Sequence, residues 1–273
     1  MRDRSILNDK TLKVMAIVNY TPDSFYDGGR YYSKDKFFER IGECINSGAD
    51  IIDIGVASTR PGAPLIEPKK EWDILKDLII EVRKAYSDVL ISIDTYNSYT
   101  AEKCIEQDVD IINDISGGQF DSKMFDVISK SKVYYVLMHT SDVPERMQQK
   151  TNYTNVVEDV FIFLKNRIEI LENKGFSNII VDPGFGFGKT IEQNYELLYQ
   201  LDFFQSLQRP ILVGLSRKSM IYKTLQTTPQ DDETLVGTIA LNTIAVMKGA
   251  SILRVHDVKE AVVIKKLFAK EDL

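Results

Sequence analysis

Eight short apolar runs, each followed by a longer amphipathic stretch, limit what this chain can fold into. The runs cover residues 14–19, 51–55, 90–95, 111–115, 133–138, 178–182, 210–215 and 252–256. Helix-like segments follow at 34–47, 67–85, 98–107, 122–131, 155–174, 191–205, 233–247 and 258–270. Runs that are apolar throughout, not alternating, imply strands buried on both faces, hence a parallel sheet under helices. Strand alternating with helix implies right-handed crossover units. Eight such units can close into a single (β/α)8 TIM barrel, whose active site would lie at the C-terminal ends of the strands. An open doubly wound sheet has the same periodicity and stays open as the alternative. No stretch rich in Pro, Gly or Ser interrupts the pattern, so residues 1–273 read as one domain.

Composition narrows the ligand class. The net charge is −6 and no Lys/Arg block could track a phosphate backbone, so nucleic acid is not an expected partner. An anionic ligand would have to meet a local cluster of donors. Cys44 and Cys104 each fall in a helix-like stretch and form no Cys-x-x-Cys pair, which reads as two buried thiols. Residues 1–10 are charged and resemble no signal peptide, and no segment has the ~20 apolar residues of a membrane span. The expected compartment is the cytoplasm, with no membrane partner.

The polar residues fall where the apolar runs stop. The first run ends at Asn19; the second carries Asp53 and leads to Ser58-Thr59-Arg60. Asp94, Asn113 with Asp114, His139 and Asp182 mark the next four ends, then Ser216-Arg217-Lys218, and finally Arg254 and His256. Each alone could cap a helix or start a turn. The set includes Arg, Lys and His, which caps do not favour. Glycine-bearing loops follow the first, second and sixth runs, at 21–30, 57–63 and 182–190. The last holds Gly184, Gly186 and Gly188, but in neither dinucleotide-binding nor phosphate-loop spacing.

Two chemistries can be assembled at one barrel mouth. Arg60, Arg254 and His256, with Thr59 and Asn19, suit a phosphate or diphosphate. With two histidines in the chain, a structural zinc site is not expected. A magnesium ion (Mg2+) shared between Asn19 and a bound diphosphate fits better, because that ion keeps waters and leans on substrate oxygens. Asp94, Asn113 and Asp182 could meet a flat heterocycle rich in N–H and C=O groups. The competing reading makes Asp94 and Asp182 partners of structural ion pairs; Lys218 could pair with either and still reach a ligand. No nucleophile stands beside a base, so catalysis would be positional and electrostatic.

The ordered blocks identify a family resemblance. They are Asn19-Tyr-Thr-Pro-Asp-Ser-Phe25, Gly48-Ala-Asp-Ile-Ile-Asp-Ile-Gly55 with Ser58-Thr-Arg-Pro-Gly62, Ile93-Asp-Thr95, Ile112-Asn-Asp-Ile-Ser-Gly-Gly118 and Met138-His139 with Met147-Gln148. Asp182-Pro-Gly-Phe-Gly-Phe-Gly-Lys-Thr190, Ser216-Arg-Lys-Ser219 and Arg254-Val-His-Asp-Val258 complete the set. From Val14 to about Val258 the chain resembles dihydropteroate synthases. That resemblance implies condensation of a dihydropterin diphosphate with 4-aminobenzoate, release of pyrophosphate, and a homodimer. It implies a pterin pocket of Asp94, Asn113, Ile115, Met138, Asp182, Lys218 and Arg254, with Asp94 and Lys218 closest to catalysis. Diphosphate would meet Asn19, Thr59, Arg60, Arg254 and His256, with Asn19 also facing magnesium. Aminobenzoate would meet Phe25, Pro61, Phe187, Lys218 and Ser219, the last at a helix start suited to the carboxylate.

Some positions depart from the family pattern. Val56-Ala57 stand where Gly-Glu is usual, Tyr20 replaces a small aliphatic residue, and Thr140 replaces Met. The missing carboxylate at Ala57 bears on how the second loop closes. Two rival readings are a methyltetrahydrofolate-type methyltransferase barrel and a catalytically silent barrel. The first needs no Thr59-Arg60 or Arg254/His256 set, and the second predicts a lost pterin or diphosphate residue; none is lost.

Overall fold

The computed structural model describes residues 7, 11–20, 34–56 and 66–269. Strands and helices alternate as β1 (Lys13–Asn19), α1 (Lys34–Asn46), β2 (Ile51–Gly55), α2 (Pro68–Ala85), β3 (Leu90–Asp94), α3 (Ser98–Glu106), β4 (Ile111–Asp114) and α4 (Met124–Ile128). The second half runs β5 (Tyr134–Met138), α5 (Val156–Asn173), β6 (Ile179–Asp182), α6 (Ile191–Tyr199), β7 (Leu212–Val213), α7 (Ser219–Tyr222), α8 (Asp232–Met247), β8 (Ile252–Val255) and α9 (Val258–Phe268).

Every strand pairing is parallel, in the order β6-β5-β4-β3-β2-β1-β8-β7. A parallel bridge from Val181 to Ile211 joins the two ends. The sheet is therefore a barrel, and the doubly wound alternative is excluded. A strand in a closed barrel covers helices with one face and fills the interior with the other, so both faces are buried and its sequence reads as an unbroken apolar run.

The interior face changes character along the axis. Its lower layer is apolar: Met15, Ile51, Leu90, Ile111, Tyr134, Val136, Ile180, Leu212 and Ile252 pack together, with Leu7 beneath. Two residues further on, where the pleat returns the side chain inward, β2, β3, β4 and β8 carry Asp53, Ser92, Asn113 and Arg254, all but Arg254 fully or nearly fully buried. The barrel thus has an apolar floor under a charged layer.

Element boundaries differ from expectation where local geometry tightens. The 191–205 helix stops at Tyr199 and continues as a 3₁₀ segment, Leu201–Leu207. Its three-residue repeat puts Leu201 and Phe204 together in the core, both without exposed surface. The seventh strand keeps only two residues, and the short α7 was not foreseen.

Helix α8 is inverted. Its buried positions include Thr234, Thr238 and Asn242, four residues apart, whereas Val236 and Met247 stand exposed at 65% and 72%. Thr238 and Thr234 satisfy inward polar groups: the Thr238 hydroxyl donates to the Thr234 carbonyl (2.8 Å) and accepts the Arg217 N–H (3.1 Å).

Candidate active site

Arg254 organises the charged layer. Its Nε donates to Asp53 Oδ2 and its Nη2 to Asp94 Oδ2, both at 2.7 Å. Asn113 Nδ2 donates to the same Asp53 oxygen at 3.0 Å. The ion-pair reading of Asp94 therefore holds, but it uses only half of each carboxylate. Oδ1 of Asp53 and Oδ1 of Asp94 are buried without a partner. A buried acceptor without a donor is costly in a native structure, and two of them side by side in an open-ended barrel suit a ligand carrying N–H groups. Burial raises the Asp94 pKa; Arg254 opposes this, and Asp53, Glu71 and Asp114 add to it. Burial works against the charge on Arg254, but Asp53, Asp94 and then Asp182 outweigh it and raise its pKa, so the guanidinium stays protonated.

Asp182 closes β6 and is 6% exposed. Its Oδ1 accepts the Gly184 N–H at 2.7 Å. Burial raises its pKa, with Lys218 opposing. Lys218 forms no ion pair with Asp94 or Asp182: its ammonium donates to the Phe185 carbonyl and lies 4.7 Å above the Phe187 ring. Desolvation lowers Lys218 to about 8, with Asp182 opposing. The Lys218 charge thus rests on a backbone carbonyl and an aromatic ring instead of a carboxylate. Ser219 opens α7, which is only four residues long. Its dipole contribution is therefore small, and the expectation of a helix-start carboxylate site reduces to the Ser219 hydroxyl beside Lys218.

An apolar wall faces these charges. Tyr96, Ile115 and Met138 pack together, with Ile66, Phe120 and Phe187 against them. The Ile66 N–H donates to the Tyr96 hydroxyl at 2.9 Å, which ties the exit of the second loop to this wall. A slot with apolar sides and carboxylates at its base is the shape that a flat heterocycle requires.

The rim is cationic and polar. His256 stands exposed after β8; its backbone N–H donates to Ser216 Oγ at 3.2 Å, and Nδ1 faces the same oxygen at 3.1 Å. In the tautomer whose Nδ1 accepts from the Ser216 hydroxyl, Nε2 carries the N–H. Desolvation in the mouth, then the charge of Arg254, lowers the His256 pKa even though the residue keeps solvent contact. A neutral ring that donates through Nε2 suits an anionic oxygen. Arg217 holds the neighbouring loops in place through a two-pronged pair with Asp257, at 2.8 and 3.0 Å. Asn19 is exposed at the end of β1, and its Oδ1 sits where a Cβ on Gly55 would come within 2.8 Å. Only glycine lets Asn19 lie across β2 in this way.

Phe25, Thr59, Arg60 and Pro61 lie outside the described residues, as do Ala57 and most of the first two loops. Of the departures noted above, Tyr20 packs edge-on to Phe37 at 5.4 Å, and buried Thr140 donates to the Asp142 carbonyl at 2.9 Å. Both replacements are thus absorbed by packing. His139, at the end of β5, does not face the mouth: it is 6% exposed and its ring packs on Phe163 at 4.9 Å.

Asp53, one of the polar strand-end residues, gains a role that the sequence did not assign it, and Tyr96 is a site residue that no motif marks. Asp53 was legible in principle, since it lies two residues before Gly55 on the inward face, in line with Asn113 and Arg254. Nothing in the sequence marks the Tyr96 hydroxyl as the anchor of a loop thirty residues earlier.

Comparison with known proteins agrees with this geometry. The sequence signature described as "Pterin binding enzyme" matches residues 15–256. The dihydropteroate synthase of Clostridium beijerinckii is 42% identical over 250 residues, covering 90% of this chain and 89% of that protein. The crystal structure of Yersinia pestis dihydropteroate synthase in a sulfonamide drug complex superposes with a TM-score of 0.89 at 34% identity, covering 96% of this chain and 95% of the other. That of Burkholderia cenocepacia dihydropteroate synthase complexed with 7,8-dihydropteroate does so at 0.84 and 34%, covering 96% and 91%. The eight-stranded barrel, its buried charged layer and these relatives together show that the chain belongs to the pterin binding enzyme family, among the dihydropteroate synthases.

Proposed function

We propose that this chain, a transferase of that family, joins (7,8-dihydropterin-6-yl)methyl diphosphate to 4-aminobenzoate and releases 7,8-dihydropteroate and pyrophosphate. The observation that carries the reading is the pair of buried, unpartnered carboxylate oxygens on Asp53 and Asp94 beneath an apolar slot. The pterin ring enters that slot edge-first, its N–H groups toward Asp94 and Asp182 and its carbonyl toward Asn113 and Lys218. Arg254 lies against it, and Ile115 and Met138 line the sides.

The diphosphate then falls at the rim, toward Arg254, the Nε2 proton of His256, Asn19 and, from the sequence blocks, Thr59 and Arg60. Among the described residues no group of three or more His, Cys, Asp or Glu could hold a metal ion. The exposed Asn19 carbonyl oxygen is a single neutral ligand. This donor set fits a magnesium ion that keeps its waters and the diphosphate oxygens. When bound, magnesium would neutralise charge on the departing diphosphate.

Bond cleavage precedes bond formation in this scheme. The methylene C–O bond breaks and its electron pair leaves on the diphosphate. The electron-rich dihydropterin shares the positive charge left on carbon, and Asp94 stabilises that cation. The arylamine nitrogen then attacks, forms the C–N bond and loses its extra proton. Phe187, Lys218 and Ser219, with Phe25 and Pro61 from the loops, would hold the aminobenzoate. Binding is therefore ordered. A pyrophosphate-release assay should show turnover only with both substrates and magnesium. By calorimetry a sulfonamide should bind well only with pterin and pyrophosphate present. Tight binding of sulfonamide to the bare protein would sink the ordered scheme.

We further propose a cytoplasmic homodimer. No helix among the described residues is long and apolar enough to cross a membrane, and Cys44 and Cys104 are buried free thiols. The outward apolar side of α8, with Val236 and Met247 uncovered and Val263 and Leu267 of α9 exposed as well, supports a second copy as its cover. Val236→Asp should shift the protein to monomer in analytical ultracentrifugation; a dimer unchanged by this substitution would place the interface elsewhere.

A further inference from the structure

Lys189 ends the glycine-rich loop and is nearly enclosed, at 4% exposure. No carboxylate pairs with it among the described ion pairs. Its ammonium instead finds three close acceptors, the Gly184 carbonyl at 2.8 Å, the Phe187 carbonyl at 3.1 Å and His139 Nδ1 at 3.0 Å, with the His139 carbonyl farther off at 3.5 Å. His139 can accept there only as the neutral tautomer protonated at Nε2. Burial, then the Lys189 charge, lowers the His139 pKa well below the imidazole range. Burial also pulls Lys189 down to about 7, with the charge of Asp182 opposing it and that of Lys218 adding to it.

The loop around this ammonium is under tight spatial constraint. A Cβ on Gly184 would come within 1.9 Å of the His139 carbonyl oxygen, and one on Gly188 within 1.8 Å of Ser141 Oγ. The Phe187 N–H returns to the Gly184 carbonyl at 3.2 Å. The carbonyls of Gly184 and Phe187 thus point inward to Lys189, while that of Phe185 points the other way and receives Lys218. The same turn sets the Phe187 ring under the Lys218 ammonium. Three acceptors converging in a buried pocket repel one another unless a cation or donor sits between them.

We propose that Lys189 is a positioning residue for the arylamine step: its caged ammonium folds the 184–187 turn so that Phe187 and the Phe185 carbonyl hold Lys218 in place. This rests on the synthase reading, in which Phe187 and Lys218 border the aminobenzoate. Without the cation the converging carbonyls must separate, and the Phe187 ring shifts with its own carbonyl against the wall and Lys218. Of the pterin residues, Asp53, Asp94 and Asn113 lie on other strands and would stay in place, whereas Asp182 and Lys218 touch the turn at Gly184 and Phe185.

The test uses Lys189→Met and Lys189→Ala in full-length protein, with His139→Leu as a milder loss of one acceptor. Lys189→Met should raise the KM for 4-aminobenzoate by about tenfold to a hundredfold, the range expected when a substrate platform shifts by about an ångström. The affinity for pterin diphosphate, which Asp53, Asp94, Asn113 and Arg254 still hold, should fall by less than this, and His139→Leu should move the arylamine KM in the same direction by less. Methylammonium should restore part of the arylamine KM in Lys189→Ala by entering the emptied cage, and tetramethylammonium at equal ionic strength should not. Wild-type constants in Lys189→Met, or parallel loss of both substrates without amine rescue, would overturn the proposal. So would loss of folded protein in all three variants, which would make Lys189 a residue of the fold alone. Turnover by the wild type is measured first, so failure of the synthase reading shows separately, as no pyrophosphate released by the unaltered protein.

Discussion

Arg254→Ala is expected to be both inactive and strongly destabilised, with a destabilisation that depends on pH. Arg254 bridges Asp53 and Asp94, neither of which has another cationic partner in the described ion pairs. Removing one partner of a buried ion pair costs about 3–5 kcal/mol, because the remaining charge is left uncompensated. Here two carboxylates share that loss. Burial already raises the folded-state pKa of Asp94 with Arg254 in place, and without the cation it rises further. A carboxyl whose pKa is higher folded than unfolded binds its proton preferentially in the folded state. Its folded state therefore loses stability as pH climbs from the unfolded value of about 4 through the raised one. The gap in melting temperature between wild type and Arg254→Ala should be widest above neutrality and should narrow as pH falls toward about 4. Thermal melts across that range measure it. A gap independent of pH would mean that the carboxylates are not the source of the loss. Pyrophosphate affinity should fall in the same variant, since the guanidinium also faces the rim.

Asp94→Asn should separate activity from stability. In the proposed mechanism Asp94 supplies the negative charge beside the cation formed when the diphosphate departs. Removing one preorganised electrostatic group of this kind lowers kcat by about 10²–10³-fold. The fold should not suffer equally. Arg254 keeps Asp53 as partner, and the substitution takes one carboxylate out of a layer where Asp53 and Asp94 crowd a single guanidinium. The asparagine oxygen can still accept from Arg254 Nη2. The melting temperature should therefore hold or rise while kcat collapses, with pterin affinity weakened by the loss of a charged acceptor worth about 1.5–3 kcal/mol. Wild-type kcat in a folded Asp94→Asn would remove Asp94 from the chemical step.

The two variants divide the charged layer by role. Arg254 is needed for the layer to exist at all, whereas Asp94 is held there at a cost to stability. Buried like charges are tolerated where a reaction uses them, and the unpartnered Oδ1 atoms of Asp53 and Asp94 show the same bias toward a ligand over the fold.

Much of this was determined by the sequence itself. Strand positions followed from apolar runs, because a barrel strand is buried on both sides. Asp94, Asn113, Asp182 and Arg254 could be placed at one mouth because parallel strands put all their C-terminal ends at one end of the sheet. Tertiary structure alone decided the rest. Closure depended on the Val181–Ile211 bridge, which no periodicity records. The pairing of Arg254 with Asp53 and Asp94 links residues 201 and 160 positions apart, and strand register brings them together. His139 and Lys218 carry the same local signal as the other strand-end residues. One is turned into a cage behind the glycine loop and the other onto a backbone carbonyl, because side-chain direction at a strand end is set by the loop that packs on it. Residue type and spacing thus determined which end of the barrel holds the chemistry, and long-range packing decided which polar groups remain free to meet a ligand.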